Sequence, residues 1–339
     1  FGTSASDYAY GVAVDASGNV YVTGETWGAL PGQTFSGYYD AFVRKYDDSG
    51  NELWTRQFGT SYWDEARGVA VDSFGNVYVA GSTRGVLPGQ TSSGYSDAFI
   101  RKYDGSGNEL WTRQFGTSDS DEARGVAVDA SGNVCVAGYF YGWDSWGTFY
   151  NHVFVRKYDG PGNELWTRQF GSLGYDYAEG VAADASGNVY VAGYTDGALP
   201  GQTSSGGRDA FVVKFVKVKP KLYIVYEIGG RGDLSFNDMA YMGGRRAEQE
   251  LGVELVEMRS ATEADYVPNL RAAASDPSAK LIVGVGYLLT DALVQVAKEF
   301  PDKNFVGIDT YSRSVEPQPN LLDVVFEEHK GSALVGALA

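Results

Sequence analysis

The sequence predicts two unrelated folds in one chain: an all-β array of propeller-like, four-stranded blade repeats, followed by an α/β part built on a parallel sheet. Two observations carry this. Almost the same 57 residues are written twice in succession, Phe1 to Gln57 and Phe58 to Gln114, then as 115–169 with two residues fewer, then as a fourth copy, 170–215, that breaks off near Phe215. From Val216 the repeat never returns, and strand-like runs alternate with helical patterns. A long internal period constrains architecture before any single residue does, because one copy cannot bury its own faces and must stack on its neighbours.

Within the first copy, Gly11-Val-Ala-Val-Asp15 runs into the turn Ala16-Ser-Gly-Asn19, and Val20-Tyr-Val-Thr-Gly24 follows as a β-branched and aromatic run, so a hairpin is expected. A Gly/Pro/Ser/Thr loop over 28–37 leads to the strand Asp40 to Tyr46, the turn Asp47 to Asn51, and the strand Glu52 to Phe58. Four short strands per copy is the pattern of a propeller blade, whose sheet packs on the next blade. Val, Phe, Tyr and Trp on both sides of the strands predict sheets covered on both faces.

Two features of the repeat imitate sites. Asp15-Ala-Ser-Gly-Asn19 has the look of an oxygen-rich calcium loop, yet such a loop needs about six oxygen ligands including a distant bidentate carboxylate, and no Glu follows at that spacing. Asx-type turn chemistry explains the same residues without metal. Trp54, Trp111 and Trp166 could line a sugar-binding surface, but one Trp per copy at a fixed place is more simply blade packing.

The repeat resembles the SBBP-type β-propeller repeat of bacterial surface and secreted proteins. The residues that carry the resemblance are the D-x-x-G-N-V-Y-V-x-G core (Asp15 to Gly24, Asp72 to Gly81, Asp184 to Gly193), the strands opening at Asp40, Asp97 and Asp209, and the G-N-E-L-W-T-R-Q-F-G strand. The third copy departs at Asn151-His-Val-Phe154 and at Cys135, where the other copies have Tyr. The resemblance covers 1–215 and implies a scaffold more than a chemistry.

Residues 216–221 read as a short basic linker, and 222–339 as the α/β part. Leu222 to Tyr226 is a continuous apolar run, as a strand buried on both faces requires. The glycine-rich bend 229–233 turns into a helix from about Asn237 to Leu251, with Ser235 and Asp238 as a capping box and Gly252 at the stop. The expected order continues with strand 253–258, helix 264–274, strand 280–285, helix 288–300, strand 304–309, strand 321–326 and a helix from Gly331.

Open α/β sheets bind ligands at the carboxyl ends of their strands. Here those ends carry 227–237, Arg259-Ser260, Gly286-Tyr287 and Asp309-Thr310, a polar, glycine and aromatic mixture suited to a small-molecule crevice. Phe236, just after the bend, is placed to face the mouth; the alternative is a staple packing down on the first helical turn.

The run Gly229-Gly-Arg-Gly-Asp-Leu-Ser-Phe-Asn-Asp238, with Gly243, Glu250 to Gly252, Asp265-Tyr266, Gly284 to Gly286, Ala297, Phe305 to Asp309 and Gly331 to Gly336, resembles the basic membrane protein family. These are substrate-binding lipoproteins of certain ABC importers, many of them purine nucleoside receptors. The resemblance implies the first part of a two-lobed type I periplasmic-binding-protein fold, with Phe236 stacking on a nucleobase, Asn237 hydrogen-bonding the ligand and Asp309 accepting from ribose hydroxyls or base donors. Glu227 stands where the family often has Asp near the ligand. It also implies permease subunits as partners. A second lobe, carrying the opposing aromatic and the closing surface, would lie beyond Ala339, so the lobe is expected to be truncated and to bind weakly by itself. Arg231-Gly-Asp233 spells an integrin-like tripeptide, better explained as the turn into Ser-Phe-Asn.

Composition narrows the classes. With 43 acidic against 27 basic residues and a net charge of -16, nucleic-acid and anionic-membrane binding through the bulk surface are disfavoured. One Cys permits no internal disulfide, and His152 and His329 lie in separate parts, leaving no metal cluster and no Cys-His pair. The bend at 229–233 matches neither a dinucleotide nor a P-loop pattern. No enzyme and no cofactor are expected, and neither a transmembrane run nor a signal segment is present in this chain. The expectation is an extracytoplasmic solute-binding protein of an ABC importer carrying a propeller scaffold, the latter open to a protein or glycan partner. The alternative is a surface or secreted propeller protein with a vestigial or artefactually joined lobe. The array is also expected to be incompletely closed and prone to edge pairing.

Overall fold

Each repeat folds as an antiparallel meander whose strands are the runs between its Asp-Gly-Asn turns. The first sheet holds β1 (Asp7–Val14), β2 (Val20–Thr26), β3 (Asp40–Tyr46) and β4 (Glu52–Phe58). The second holds β5 (Asp64–Val71), β6 (Val77–Thr83), β7 (Asp97–Tyr103) and β8 (Glu109–Phe115), and the third β9 (Asp121–Val128), β10 (Val134–Trp143), β11 (Phe149–Tyr158) and β12 (Glu164–Phe170). The fourth has three strands, β13 (Asp176–Ala183), β14 (Val189–Thr195) and β15 (Asp209–Phe215). The first strands begin four residues earlier than the hairpin pattern suggests, because Asp7 and its counterparts pair with Thr26 and its counterparts. This computed structural model describes residues 1–143, 149–230, 232 and 236–325.

The sheets stack through both faces. Phe58 at the end of β4 meets Phe99 of the next sheet edge-on at 5.6 Å, with the Arg101 guanidinium 4.1 Å over its ring. Phe115 repeats this with Phe154 and Arg156, and Phe1 with Phe42 and Arg44. Trp54 donates its indole N–H to Gly105 O at 3.1 Å across the junction and Trp111 does the same to Gly160 O, so these Trp residues are packing elements. The Asp15 carboxylate is fully engaged in its own turn: Oδ1 accepts from Ser17 N and Asn19 N, Oδ2 from Asn19 Nδ2 and Tyr21 Oη. That is the Asx reading of the turn.

Among the described residues the stacking runs in one direction and does not close. A Cβ on Gly68 would meet Arg124 O at 3.1 Å, and one on Gly125 would meet Val181 N at 3.0 Å, whereas one on Gly180 would meet nothing within 4 Å. At the other end, Tyr8, Tyr10, Val12 and Val14 of β1 are exposed while Val69 and Val126, the counterparts of Val12, are buried.

The unit Val218–Ala339 is a parallel sheet of β16 (Lys221–Tyr226), β17 (Glu254–Arg259), β18 (Ala279–Val285), β19 (Phe305–Ile308) and β20 (Leu321–Val324), in the order β17-β16-β18-β19-β20. Helices α1 (Phe236–Leu251), α2 (Tyr266–Ser275), α3 (Thr290–Glu299) and the short α4 (Ser312–Val315) connect them. β16 alternates: Leu222, Ile224 and Tyr226 pack in the core beneath α1, Tyr223 and Val225 in the core beneath α2 and α3. Burial on both faces is what its unbroken apolar run requires. Gly252 ends α1 at φ 67°, as a C-cap glycine does. The expected Ser235 cap, Arg231 and Asp233 of the tripeptide, His329 and the helix from Gly331 lie outside the described residues.

Candidate functional site

With β16 between β17 and β18, successive connections leave β16 in opposite directions, and the carboxyl ends of β16 and β18 flank the point where the strand order reverses. That crevice is where sheets of this type take ligands. Glu227, the first residue after β16, stands in it. Its N–H bonds to Val285 O at 3.1 Å, and its Oε2 accepts the Leu288 N–H at 3.3 Å. Gly286, at φ 112°, leaves no room for a Cβ against the Glu227 carboxyl group. A side chain there would expel the carboxylate.

One strand further, Gly286 N–H bonds to Ile308 O at 2.9 Å and so ties the end of β18 to the residue before Asp309. Asp309 has φ 57°, the sole non-glycine residue in the left-handed region among those described. Its own N–H is held by Val324 O at 2.8 Å, and the following Thr310 and Ser312 hydroxyls both donate to the Asp323 carboxylate. Thr310 and Ser312 are buried. A strained conformation persists where its surroundings over-determine it, and such positions concentrate at ligand sites.

Phe236 and Asn237 open α1 at the exit from the bend. Asn237 is buried, and its Nδ2 donates to Gly230 O at 2.8 Å, so this amide pins the glycine-rich bend to the helix. Asp238 Oδ1 accepts the Gly232 N–H at 3.1 Å and adds a second tie. Phe236 is half-buried, with part of its ring against the core of Leu222, Ile224 and Tyr226. The bend thus joins β16 to α1 on the edge that carries Glu227. Around it Ile228, Tyr287 and Tyr311 are exposed, and Tyr266 Oη accepts the Ile228 N–H.

Sequence reasoning missed Tyr311, the anchoring role of Tyr266, and Asp323. The last left a signal, since a carboxylate inside the apolar run Leu321-Leu-Asp-Val-Val325 asks for a fixed partner.

These features define a chain with two parts, and the comparisons with known proteins agree. Residues 221–339 match the family described as ABC transporter substrate-binding protein PnrA-like, and residues 2–31, 53–88, 110–139 and 165–200 match the β-propeller repeat family SBBP. The chain therefore carries β-propeller repeats joined to a PnrA-like substrate-binding domain. Among relatives, it is 43% identical over 121 residues to an uncharacterized lipoprotein of Pyrococcus furiosus, covering 36% of this chain and 30% of that one. It is 30% identical over 128 residues to the ABC transporter nucleoside-binding protein BmpA of Lactococcus lactis, covering 37% and 35%. A solved structure of ABC transporter system solute-binding proteins from Aeropyrum pernix K1 is 38% identical over 34% of this chain and 31% of that chain, with a TM-score of 0.32. The chain spans about a third of the length of these relatives.

Proposed function

We propose that residues 222–339 form a solute-receiving lobe of an extracytoplasmic ABC importer receptor, that its ligand is a nucleoside or a similar small molecule, and that residues 1–215 are a scaffold joined to it through 216–221. The observation that carries this reading is the crevice at the strand-order reversal, where the backbone N–H groups of Glu227, Gly286 and Asp309 bond to Val285 O, Ile308 O and Val324 O and so fix the carboxyl ends of neighbouring strands. A neutral nucleoside calls for a π platform and a few placed polar groups. Phe236 supplies the ring, Asp309 an acceptor for hydroxyls, and Glu227 a second carboxylate facing the same edge. Asn237 acts beside them by holding the bend that presents Phe236 and by hydrogen-bonding the ligand. The match to the substrate-binding family and the likeness to a protein named as nucleoside-binding support the class of ligand. Lipoprotein relatives support an extracytoplasmic place, and permease subunits are the expected partners. The reading assigns the lobe no catalysis.

A ligand panel tests it. Equilibrium dialysis with inosine, guanosine and adenosine, against ribose and free adenine, should give saturable binding for the nucleosides and much weaker retention of the two halves. Equal retention of ribose and inosine would remove the aromatic platform from the account.

A further inference from the structure

The repeats compare themselves. The first two copies differ at 14 of their 57 positions, while the strand motifs Gly-Asn-Val-Tyr-Val, Asp-Ala-Phe and Glu-Leu-Trp-Thr-Arg-Gln are the same. A cavity of about 170 Å³ opens at one end of the inner strands of the first three sheets, lined among others by Tyr39, Trp63, Glu65, Arg84, Ser120 and Glu122. Its lining comes from five repeat positions, and all five are among those that differ: Ser6 against Trp63, Tyr8 against Glu65, Glu25 against Ser82, Trp27 against Arg84, Tyr39 against Ser96. The other nine differences are scattered over turns and strands, whereas no lining position is kept; constant strand motifs beneath a varied concave surface are the way repeat arrays diversify binding.

The chemistry of the walls is specific. Trp27, Tyr39 and Trp63 stack in series at 5.7 and 5.5 Å, and the Arg84 guanidinium continues the stack 3.5 Å over Trp63, with Tyr95 on it at 4.9 Å. Arg84 donates to Tyr95 Oη at 3.1 Å, and among the described residues it has no carboxylate partner. The cavity's own carboxylates are already neutralised, Glu65 by Arg67 at 2.6 Å and Glu122 by Arg124 at 2.9 Å. Among the described residues the site therefore presents one pre-oriented guanidinium fork without a carboxylate partner, two charge-balanced carboxylates and the Ser82, Ser96 and Ser120 hydroxyls. A planar fork held flat by rings fits a carboxylate, and the carboxylates and hydroxyls fit a ring of hydroxyl groups.

We propose that this cavity is a binding site of the repeats, separate from the crevice of the α/β unit, for a carboxylated sugar residue of an acidic saccharide. Arg84 takes the sugar carboxylate, Glu65 and Glu122 accept its hydroxyls, and the exposed aromatic edges of Trp27, Tyr38 and Tyr95 contact neighbouring sugars.

The test is calorimetric titration of the whole chain with a galacturonic acid trisaccharide and with the neutral galactose trisaccharide, using the native protein, Arg84→Gln and Arg84→Lys, each checked for fold by circular dichroism. Saturable binding of the acidic sugar is expected, with the neutral one at least about tenfold weaker, since a charge-assisted pair is lost. Arg84→Gln should erase the preference, and Arg84→Lys, which keeps charge but not the fork, should fall between. No saturable heat with the acidic trisaccharide, equal affinity for the neutral one, or unchanged binding in Arg84→Gln would each overturn the proposal. None of these outcomes bears on nucleoside binding by residues 222–339.

Discussion

At the scale of single residues, the third repeat shows how one substitution is absorbed. In the first, second and fourth copies a Tyr hydroxyl (Tyr21, Tyr78, Tyr190) donates to the turn Asp at 3.0 to 3.1 Å. Cys135 takes that place in the third copy, fully buried, its thiol pushed up to about 12 by burial. Lys157 then moves in and pairs with Asp129 at 2.7 Å, whereas its counterparts Lys45 and Lys102 lie over the Tyr rings and donate to backbone carbonyls. Burial works against the Asp129 carboxylate, but the Lys157 and Asn133 hydrogen bonds outweigh it and hold the group below the usual range. Removing one partner of a buried ion pair leaves the other uncompensated, so Lys157→Met should cost about 3 kcal/mol and Lys45→Met about 1 kcal/mol. All seven Trp residues lie in the repeats, so denaturant unfolding followed by Trp fluorescence reads this unit alone. Equal costs for the two substitutions would contradict the exchange of Tyr for Lys.

At the scale of elements, the junctions between sheets hold paired acids. A Cβ on Gly59 would meet Asp40 Oδ1 at 2.6 Å and Asp64 Oδ2 at 2.8 Å, and Gly116 sees Asp97 and Asp121 in the same way. All four carboxyl groups are buried, and Asp40 Oδ1 and Asp97 Oδ1 have no hydrogen-bond partner. Burial pushes Asp121 up to about 6; the Thr117 hydrogen bonds oppose this, and the Asp97 and Asp119 carboxylates add to it. Asp40 and Asp64 are likewise raised by burial. A raised carboxyl group binds its proton more tightly when folded, so its stabilisation is complete below about pH 4 and is lost as pH rises through about 6. The repeats should therefore melt higher at pH 5 than at pH 8. Asp97→Asn should raise the pH 8 value and flatten the slope, because the amide oxygen still accepts from Gln114 and Ser93 while its N–H₂ faces Asp121. The third junction carries the same logic in its sequence: His152 stands where Asp40 does, and its Nε2 lies 3.0 Å from the Ser172 carbonyl, to which it donates. A melting temperature that falls between pH 8 and pH 5 would contradict the raised carboxyl groups of Asp121, Asp40 and Asp64. The stacking itself has a direct check. Gly68→Ala should destabilise the repeats, by Cβ contact with the neighbouring strand backbone, and Gly180→Ala should leave them unchanged or slightly more stable.

At the scale of the whole molecule, the described repeats form an open stack of four sheets, and the α/β unit carries its crevice at the strand-order reversal. Much of this was legible in the residues. The period and the Asp-Gly-Asn turns mark the strands, since each turn carries its own hydrogen bonds, and the apolar run 222–226 announces a strand buried on both faces. The junction acids were not legible, because Asp40 and Asp64 lie far apart in sequence and meet only through the stacking register. Nor was the Asn237 clamp on the bend: the family resemblance gives this amide a hydrogen bond to the ligand, and Gly230 O is reached only through the bend's fold. The short helix Ser312–Val315 was missed because Asp323, from the next strand, supplies what its local sequence lacks. The account centres on Phe236 and Asp309 acting together at the crevice. Calorimetric titration of inosine into the native protein, Phe236→Ala and Asp309→Asn tests that most directly. Saturable binding that falls by tenfold or more in each variant, with unchanged folding, is the predicted result; binding that survives both substitutions would contradict it.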